Sequence, residues 1–161
     1  LVEHERKGRF DRERAEELGV PVGPKFSQLH DGQPVELEDG TVVRPEQVVG
    51  DPRPGRKLVY TGDTRPHDAV VSAAEGADLL IHDATFANEA SERAAETGHS
   101  TAGEAAEVAT RAGARALALT HVSSRYAGDA REISEGASGF EGEVFVAHDG
   151  LEYEIPYPDD E

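Results

Sequence analysis

Residues 57–86 read KLVYTGDTRPHDAVVSAAEGADLLIHDATF, and this stretch decides the fold class. Two short apolar segments, LVY and LLI, lie on either side of a region with a helical pattern. A strand, a helix and a second strand within roughly 30 residues are typical of a parallel βαβ unit. The pattern therefore predicts an α/β fold. The predicted strands are 58–60, 79–81 and 117–119, and the predicted helices are 66–74 and 101–112.

The helix at 101–112 has the clearest local signals. Thr101 and Glu104 form a capping-box pattern at its start, and Gly113 is placed to end it. Its small residues share one face, which suits close packing on a sheet. These residues are Ala102, Ala105, Ala106 and Ala109.

The N-terminal region has weaker signals. A short helix is predicted at 10–19, with Asp11 capping its first turn. Residues 20–26 contain two prolines and a glycine, and we expect no regular element there. Residues 1–30 are therefore predicted to be an arm outside the core, and residues 31–161 the remainder of the domain.

Two hairpins are predicted from turn residues. The first joins residues 35–37 to 41–43 through a Glu-Asp-Gly turn. The second spans residues 144–155 around Asp149 and Gly150.

The composition excludes several kinds of site. The chain of 161 residues has no cysteine, so a metal must be held by His, Asp or Glu. No apolar run approaches the roughly 20 residues needed to span a bilayer, and the first ten residues are charged rather than signal-like. We expect no membrane association and a cytoplasmic location.

The net charge of −17, from 33 acidic and 16 basic residues, would ordinarily argue against a nucleic-acid partner. Concentrated salt screens such repulsion, and acidic residues spread along the chain, with arginine exceeding lysine, suit a halophilic source. The basic residues form two groups that are also compatible with ordinary solvated loops. These groups are Arg6, Lys7 and Arg9, and Arg53, Arg56 and Lys57.

Polar side chains follow each predicted strand. Asp63 follows the first strand, His82 and Asp83 the second, and His121 the third. The carboxyl ends of parallel strands meet at one edge of a sheet, so these groups should converge. His99 directly precedes the capping box, where free amides and the helix dipole favour an anion. Together these residues predict a metal and phosphate site.

Each of these residues also has an ordinary structural interpretation. Asp63 is placed to cap the helix predicted at 66–74. His121 is compatible with a hydrogen-bonded core histidine, His82 with a histidine at a strand end, and His99 with a residue that merely flanks a helix. The coincidence of several strands that end in ligand-type residues favours the functional interpretation.

Four motifs in this order resemble ribonuclease Z, a branch of the metallo-β-lactamase fold. They are YTGDTR at 60–65, HDATF at 82–86, HST at 99–101 and LTHVSSRY at 119–126, and segments 23–26, 37–40 and 52–57 are similar as well. The resemblance implies the C-terminal half of an αββα sandwich with a projecting arm, and two zinc ions between the sheets. With the acidic composition, it implies a halophilic archaeon as the source.

The resemblance also implies roles for individual residues. Asp63 matches the carboxylate that bridges both zinc ions, and His121 matches a terminal zinc ligand. His99 matches a histidine beside the scissile phosphate, and Asp83 matches the acidic residue that orients it. Most members of the family have Glu at the position of Asp83.

The implied reaction is zinc-dependent removal of 3′ trailers from tRNA precursors. The arm is expected to grip tRNA by its shape and backbone, and to serve the partner subunit of a homodimer. The RNA-binding candidates are Arg6, Lys7, Arg9 and Lys25 in the arm, and Ser123 and Arg125 near the site.

The main zinc motif of the family, His-x-His-x-Asp-His, is absent from this chain, and so is a further ligand histidine. Asp63 and His121 alone do not complete a two-zinc site, since each zinc takes about four ligands. We therefore expect a fragment that is inactive alone and exposes the apolar sheet face that a missing N-terminal half would cover. The remaining histidines, His4, His30, His67 and His148, are expected in loops or on the surface.

Two other functions stay open. One is a different hydrolase of the same fold, which would share Asp63 and His121 but need no RNA arm. The other is a truncated RNA-binding module without catalysis.

Overall fold

The computed structural model describes residues 1–126 and 128–158. The chain divides into two compact units. The sheet unit consists of Leu1–Glu3 with the chain from Arg56 onward, and the small unit consists of His4–Gly55. The boundary predicted at residue 30 thus falls inside the small unit, and the structural break lies at residue 55.

The small unit begins with two helices. Helix α1 spans Arg12–Glu17, and the Asp11 carboxylate accepts a hydrogen bond from the Arg14 amide at 2.9 Å, as the sequence predicted. Helix α2 spans Pro24–His30. The expectation that residues 20–26 contain no regular element was wrong from Pro24 onward. Proline fits the first helical position because the amide it lacks would have no helical partner there.

A two-stranded hairpin completes the small unit. Strands β1, Val35–Glu36, and β2, Val42–Val43, pair antiparallel, which confirms the predicted first hairpin. Its buried core comprises Ala15, Val20, Leu29, Val35, Val43 and Val48. Residues 1–30, predicted to be an arm outside the core, contribute Ala15, Val20 and Leu29 to this cluster, which is separate from the core of the sheet unit.

The sheet unit contains four parallel strands in chain order, and the three that the sequence predicted are confirmed. In register, Tyr60 lies opposite Ile81 and Asp83 lies opposite Thr120. The carboxyl ends of the first three strands therefore lie at one edge. The strands are β3, Leu58–Tyr60; β4, Leu79–Asp83; β5, Ala116–Thr120; and β6, Glu143–Val146.

Helices pack on one face of this sheet. Helix α5 has the predicted capping box, in which the Glu104 amide donates to Thr101 Oγ1 at 3.2 Å and the Thr101 amide to the Glu104 carboxylate at 2.8 Å. Its alanine face joins Leu80, Leu117 and Leu119 in the main core, where each buried leucine contributes about 1.5–3 kcal/mol. The helices of the sheet unit are α3, Asp68–Ala73; α4, Ser91–Thr97; α5, Ala102–Ala112; and α6, Arg131–Gly136, of which α5 and α6 contact the strands directly.

The opposite face of the sheet carries Leu79, Ala116 and Ala118, all buried. The predicted second hairpin was wrong, because in the described residues up to 158 β6 pairs only with β5 and no strand follows it. Instead, the Tyr153 ring stacks on Phe145 with centroids 4.6 Å apart. The terminal segment thereby covers part of the face that was expected to lie open to water.

Within residues 1–126 and 128–158, no helix has the length and apolar character required to cross a membrane.

Candidate metal centre

Three side chains that follow different elements meet at the carboxyl edge of the sheet. Asp63 follows β3, His121 follows β5, and His99 lies in the turn between α4 and α5. One ligand atom from each of these residues lies within 4.8 Å of the others. The structure therefore brings together three of the four principal site residues, and Asp83 lies behind them.

Asp63 and His121 face solvent. The Asp63 Oδ2 atom lies 3.3 Å from His121 Nε2. The His121 side chain is 45% exposed, so the interpretation of this residue as a core histidine does not hold. Helix α3 starts at Asp68 with His67 as its cap, so Asp63 does not serve as a helix cap either.

The backbone of His121 is strained. Its φ of +59° lies in the left-handed region, which residues other than glycine seldom adopt. Such conformations cost roughly 1–3 kcal/mol and concentrate at functional sites. The surrounding structure therefore holds this imidazole in an orientation that the chain would not otherwise favour.

Asp83 is fully buried and accepts four hydrogen bonds. Its Oδ1 accepts from the Thr85 amide at 2.8 Å and the Thr85 hydroxyl at 2.7 Å. Its Oδ2 accepts from the Thr64 amide at 2.9 Å and from His99 Nδ1 at 2.8 Å. Aspartate thus reaches His99 despite being one methylene shorter than glutamate. Burial acts to raise the Asp83 pKa, but the bonds from Thr85, His99 and Thr64 outweigh it and lower the pKa below its ordinary value.

The two histidine rings lie against one another. The ring centroids of His99 and His121 are 5.0 Å apart, with an angle of 19° between the ring planes. The Phe86 ring meets the His99 ring edge-on, with 6.2 Å between their centroids. Thr85 Oγ1 lies 2.8 Å from His121 Nδ1. Sequence reasoning assigned no role to Thr85, although its place two residues after Asp83 on the same polar loop was a usable signal.

His82 is separate from this cluster. It is fully buried, and its Nε2 atom has no hydrogen-bond partner among the described residues. Burial lowers the pKa of His82, so its imidazole is neutral at physiological pH. His82 is therefore the strand-end core histidine that the sequence left as an alternative.

The RNA-binding candidates fall into both units. In the small unit, Lys7 pairs with Asp31 at 2.5 Å, and Lys25 donates to the Glu36 carbonyl at 2.7 Å. Arg6 Nε donates to the Pro54 carbonyl at 3.3 Å. Arg9 lies in the same unit and is exposed.

In the sheet unit, Ser123 and Arg125 follow His121, and the Ser123 amide donates to the Thr85 carbonyl at 3.0 Å. Arg125 lies 6.0 Å from the Phe86 ring and makes no ion pair in the part of the chain that the structure describes. Arg65, which sequence reasoning passed over, also makes none there. The Arg65 guanidinium lies beside Gly98, the residue before His99, because a Cβ atom added to Gly98 would be 3.7 Å from Arg65 Nη2.

The three donors at the edge suit a zinc ion in their chemistry, and Asp63 and His121 suit it in their spacing as well. Imidazole nitrogens and a carboxylate oxygen are ordinary zinc ligands, and two ligand atoms on a tetrahedral zinc lie about 3.3 Å apart. The His121 Nε2 to Asp63 Oδ2 distance of 3.3 Å matches that spacing. One zinc takes about four ligands, so three donors do not complete a pair of zinc sites.

A family model described as a Beta-lactamase superfamily domain matches residues 24–122. The chain is 87% identical over 159 residues to the ribonuclease Z of Halobacterium salinarum, 69% over 161 residues to that of Natronomonas pharaonis, and 54% over 160 residues to that of Myxococcus xanthus. Each match covers 99% of this chain and 52% of the relative. The chain therefore spans about half the length of the curated relatives it matches.

Two solved structures share the fold. The metallo-beta-lactamase fold protein YhfI from Bacillus subtilis has a TM-score of 0.53 and 34% identity, over 58% of this chain and 38% of that protein. The short form of human tRNase Z has a TM-score of 0.50 and 34% identity, over 71% of this chain and 37% of that protein. The chain therefore belongs to the beta-lactamase superfamily, and within it the chain matches the C-terminal half of ribonuclease Z.

Proposed function

We propose that the protein carrying this chain is an endoribonuclease that removes 3′ trailers from tRNA precursors with the help of zinc. The observation that carries the proposal is the cluster of Asp63, His99 and His121, backed by the buried Asp83. The relatives that match 99% of the chain are named ribonuclease Z, and their name supports the substrate class.

In this proposal Asp63 and His121 hold zinc. A bound zinc ion supplies a water acidic enough to attack a phosphodiester at neutral pH. His99 is held through Nδ1 by Asp83, which orients its ring toward the site. From there His99 stabilises the developing charge or protonates the leaving oxygen.

The cations around the cluster support a phosphate-containing substrate. Arg125 lies near the Phe86 ring, which meets His99 edge-on, and Arg65 lies near Gly98 in the turn before His99. Neither arginine is neutralised by a carboxylate within the described residues. Guanidinium groups free of ion pairs suit phosphate contacts. Ser123 adds a hydroxyl next to Arg125. We assign these side chains to phosphates near the cut.

The small unit is proposed to bind the body of the tRNA through Arg6, Lys7, Arg9 and Lys25. Such contacts read backbone and shape rather than bases. A protein of net charge −17 needs high salt to weaken its repulsion from RNA, which fits a halophilic source. The resemblance to ribonuclease Z also supports a homodimer in which the arm serves the partner subunit.

We further propose that the remaining zinc ligands lie in a part of the protein outside this chain, in a His-x-His-x-Asp-His motif. The chain itself has no such motif, and its three clustered donors fall short of two zinc sites. This chain alone is then expected to be inactive.

The test measures zinc content and trailer removal in the full-length protein and in this chain alone. Asp63→Asn should lose bound zinc and reduce cleavage by at least about 100-fold, because an amide is a poor zinc ligand. Asp68→Asn is the matched control, since Asp68 is an exposed aspartate at the surface of α3 that forms an ion pair with Arg111.

Full-length protein that takes up no zinc and cleaves no precursor would overturn the proposal. Binding of tRNA without zinc or cleavage would favour the RNA-binding module. Cleavage of a small phosphodiester or a lactam, but not of tRNA precursors, would favour another hydrolase of this fold.

A further inference from the structure

The Thr85 hydroxyl lies between a buried carboxylate and both imidazoles of the candidate metal centre. Thr85 Oγ1 is 2.7 Å from Asp83 Oδ1 and 2.8 Å from His121 Nδ1. It also lies 3.2 Å from His99 Nδ1. Thr85 is buried, so water does not compete freely for these contacts. The number of protons on the hydroxyl, the carboxylate and the imidazoles therefore fixes which group donates in each hydrogen bond.

Asp83 acts only as an acceptor in this network. Both of its oxygens are met by backbone amides, those of Thr85 and Thr64, and these can only donate. A hydroxyl has one proton to give, and the carboxylate is its stronger acceptor. Thr85 therefore donates to Asp83, and its oxygen is left to accept from His121.

His121 Nδ1 must then carry the proton that it donates to Thr85. In a neutral imidazole only one nitrogen carries a proton, so Nε2 is left with a bare lone pair. That nitrogen faces Asp63 Oδ2 at 3.3 Å. Two bare acceptor atoms at this spacing repel one another unless a proton or a metal ion lies between them, and a metal ion bound to both atoms is the arrangement that the proposed site requires.

We propose that Thr85 is a positioning residue that holds His121 as the Nδ1–H tautomer and so presents its Nε2 lone pair to the metal. This inference rests on the proposed metal site. It extends the influence of Asp83 to both histidines, by direct contact with His99 and through one hydroxyl to His121. Removing a group that hydrogen-bonds to a metal-binding histidine typically changes metal affinity by about 10–100-fold.

The tautomers are measured first, in the metal-free full-length protein with ¹⁵N-labelled histidine, at a pH about two units above the ordinary histidine pKa of roughly 6.5. Correlations from the ring nitrogens to the ring carbon-bound protons separate the two neutral tautomers. The wild-type protein should show His121 and His99 both protonated on Nδ1. This measurement needs no variant, and a His121 ring protonated on Nε2 would overturn the proposal.

Variants then separate the two histidines. Thr85→Val keeps the shape of the side chain but removes the hydroxyl, so His121 should lose its preference for Nδ1–H while His99 keeps it through Asp83. Zinc affinity, measured by competition with a chelator, should fall about 10-fold or more. Thr85→Ser restores the hydroxyl and should return both the tautomer and the affinity to within a few-fold.

Thr110→Val is the matched control, because its hydroxyl donates to the Ala106 carbonyl within α5. If wild-type protein binds zinc and Thr85→Val binds it equally tightly, the inference fails while the proposed function stands. If wild-type protein binds no zinc at all, the proposed metal site fails.

Discussion

The two units differ in what they bury. The sheet unit buries Asp78, His82, Asp83, Thr85, Ser100 and Thr101 together with its apolar core. Among the described residues, the buried side chains of the small unit are all apolar, and its charged groups lie at the surface. A buried polar group must be matched with partners, whereas a surface charge stays hydrated and adaptable. The sheet unit therefore has the rigid constellation suited to chemistry, and the small unit has the surface suited to binding.

The first prediction compares a buried charge with an exposed one, and the variant at the buried charge should show the greatest loss of stability. Asp83→Ala should lower the free energy of unfolding by about 3–5 kcal/mol, because the hydrogen-bond donors around the buried carboxylate would lose their acceptor. Asp31→Ala removes the exposed partner of Lys7 in the small unit and should leave stability nearly unchanged. Urea unfolding at high salt measures both. Equal losses of stability in the two variants would contradict the difference between the buried charge of the sheet unit and the surface charge of the small unit.

The next prediction tests whether the units have separate cores. Leu29→Ala should cost about 2–5 kcal/mol, since Leu29 is fully buried in the small core. Hydrogen exchange should then quicken for the small unit while the amides of the central strands stay protected. Leu117→Ala should produce the opposite pattern. Loss of protection throughout the chain in both variants would mean that the two cores unfold together.

A smaller effect concerns pH. Burial lowers the pKa of His82 in the folded state, so the unfolded chain binds a proton first as pH falls. The stabilisation is complete above the ordinary value of 6.5 and is lost as pH falls below it toward the folded pKa, by at most about 1.4 kcal/mol per pH unit. His82→Gln should reduce the dependence of unfolding free energy on pH in this range, as measured by urea unfolding at several pH values. His4→Gln, at an exposed position of the small unit, should leave it as in the wild type.

The smallest effect compares one helix cap from each unit. Thr101→Ala should cost about 1–2 kcal/mol, because it removes half of a capping box at a buried helix start. Asp11→Ala removes a single exposed cap bond and should cost about 0.5–1 kcal/mol. Thermal unfolding would rank the two, and a larger loss for Asp11→Ala would contradict the contrast.

Sequence-based prediction of secondary structure was most accurate where a few neighbouring residues determine the element. Strand segments with apolar runs, the capping box at Thr101 and the hairpin at β1 and β2 each follow from a few neighbouring residues. Helix α2 was missed because a proline breaks the interior of a helix, whereas Pro24 stands at the first helical position, where proline is tolerated. The second hairpin was wrongly predicted because Tyr153 finds a stacking partner in Phe145, which no local pattern reveals.

The candidate site shows the same division. Polar residues after successive strands predicted that Asp63, His99 and His121 would meet, and they do. The place of Thr85 two residues after Asp83 signals that it lies near the site, but not what it does there, because a threonine after a strand is usually an ordinary polar residue. Its role depends on the distance to an imidazole 36 positions away along the chain.

The candidate ligand residues and the strands that place them at one edge of the sheet could be predicted from the sequence, since they depend on residue identity and local periodicity. The sequence also limited the metal ligands to His, Asp and Glu, because the chain has no cysteine. The tertiary structure alone decided which nitrogen of each histidine is held by the protein, that Asp83 is buried behind both rings, and where the chain divides into units. Hydrogen-bond direction and burial arise only when distant segments pack together, so no local pattern contains them.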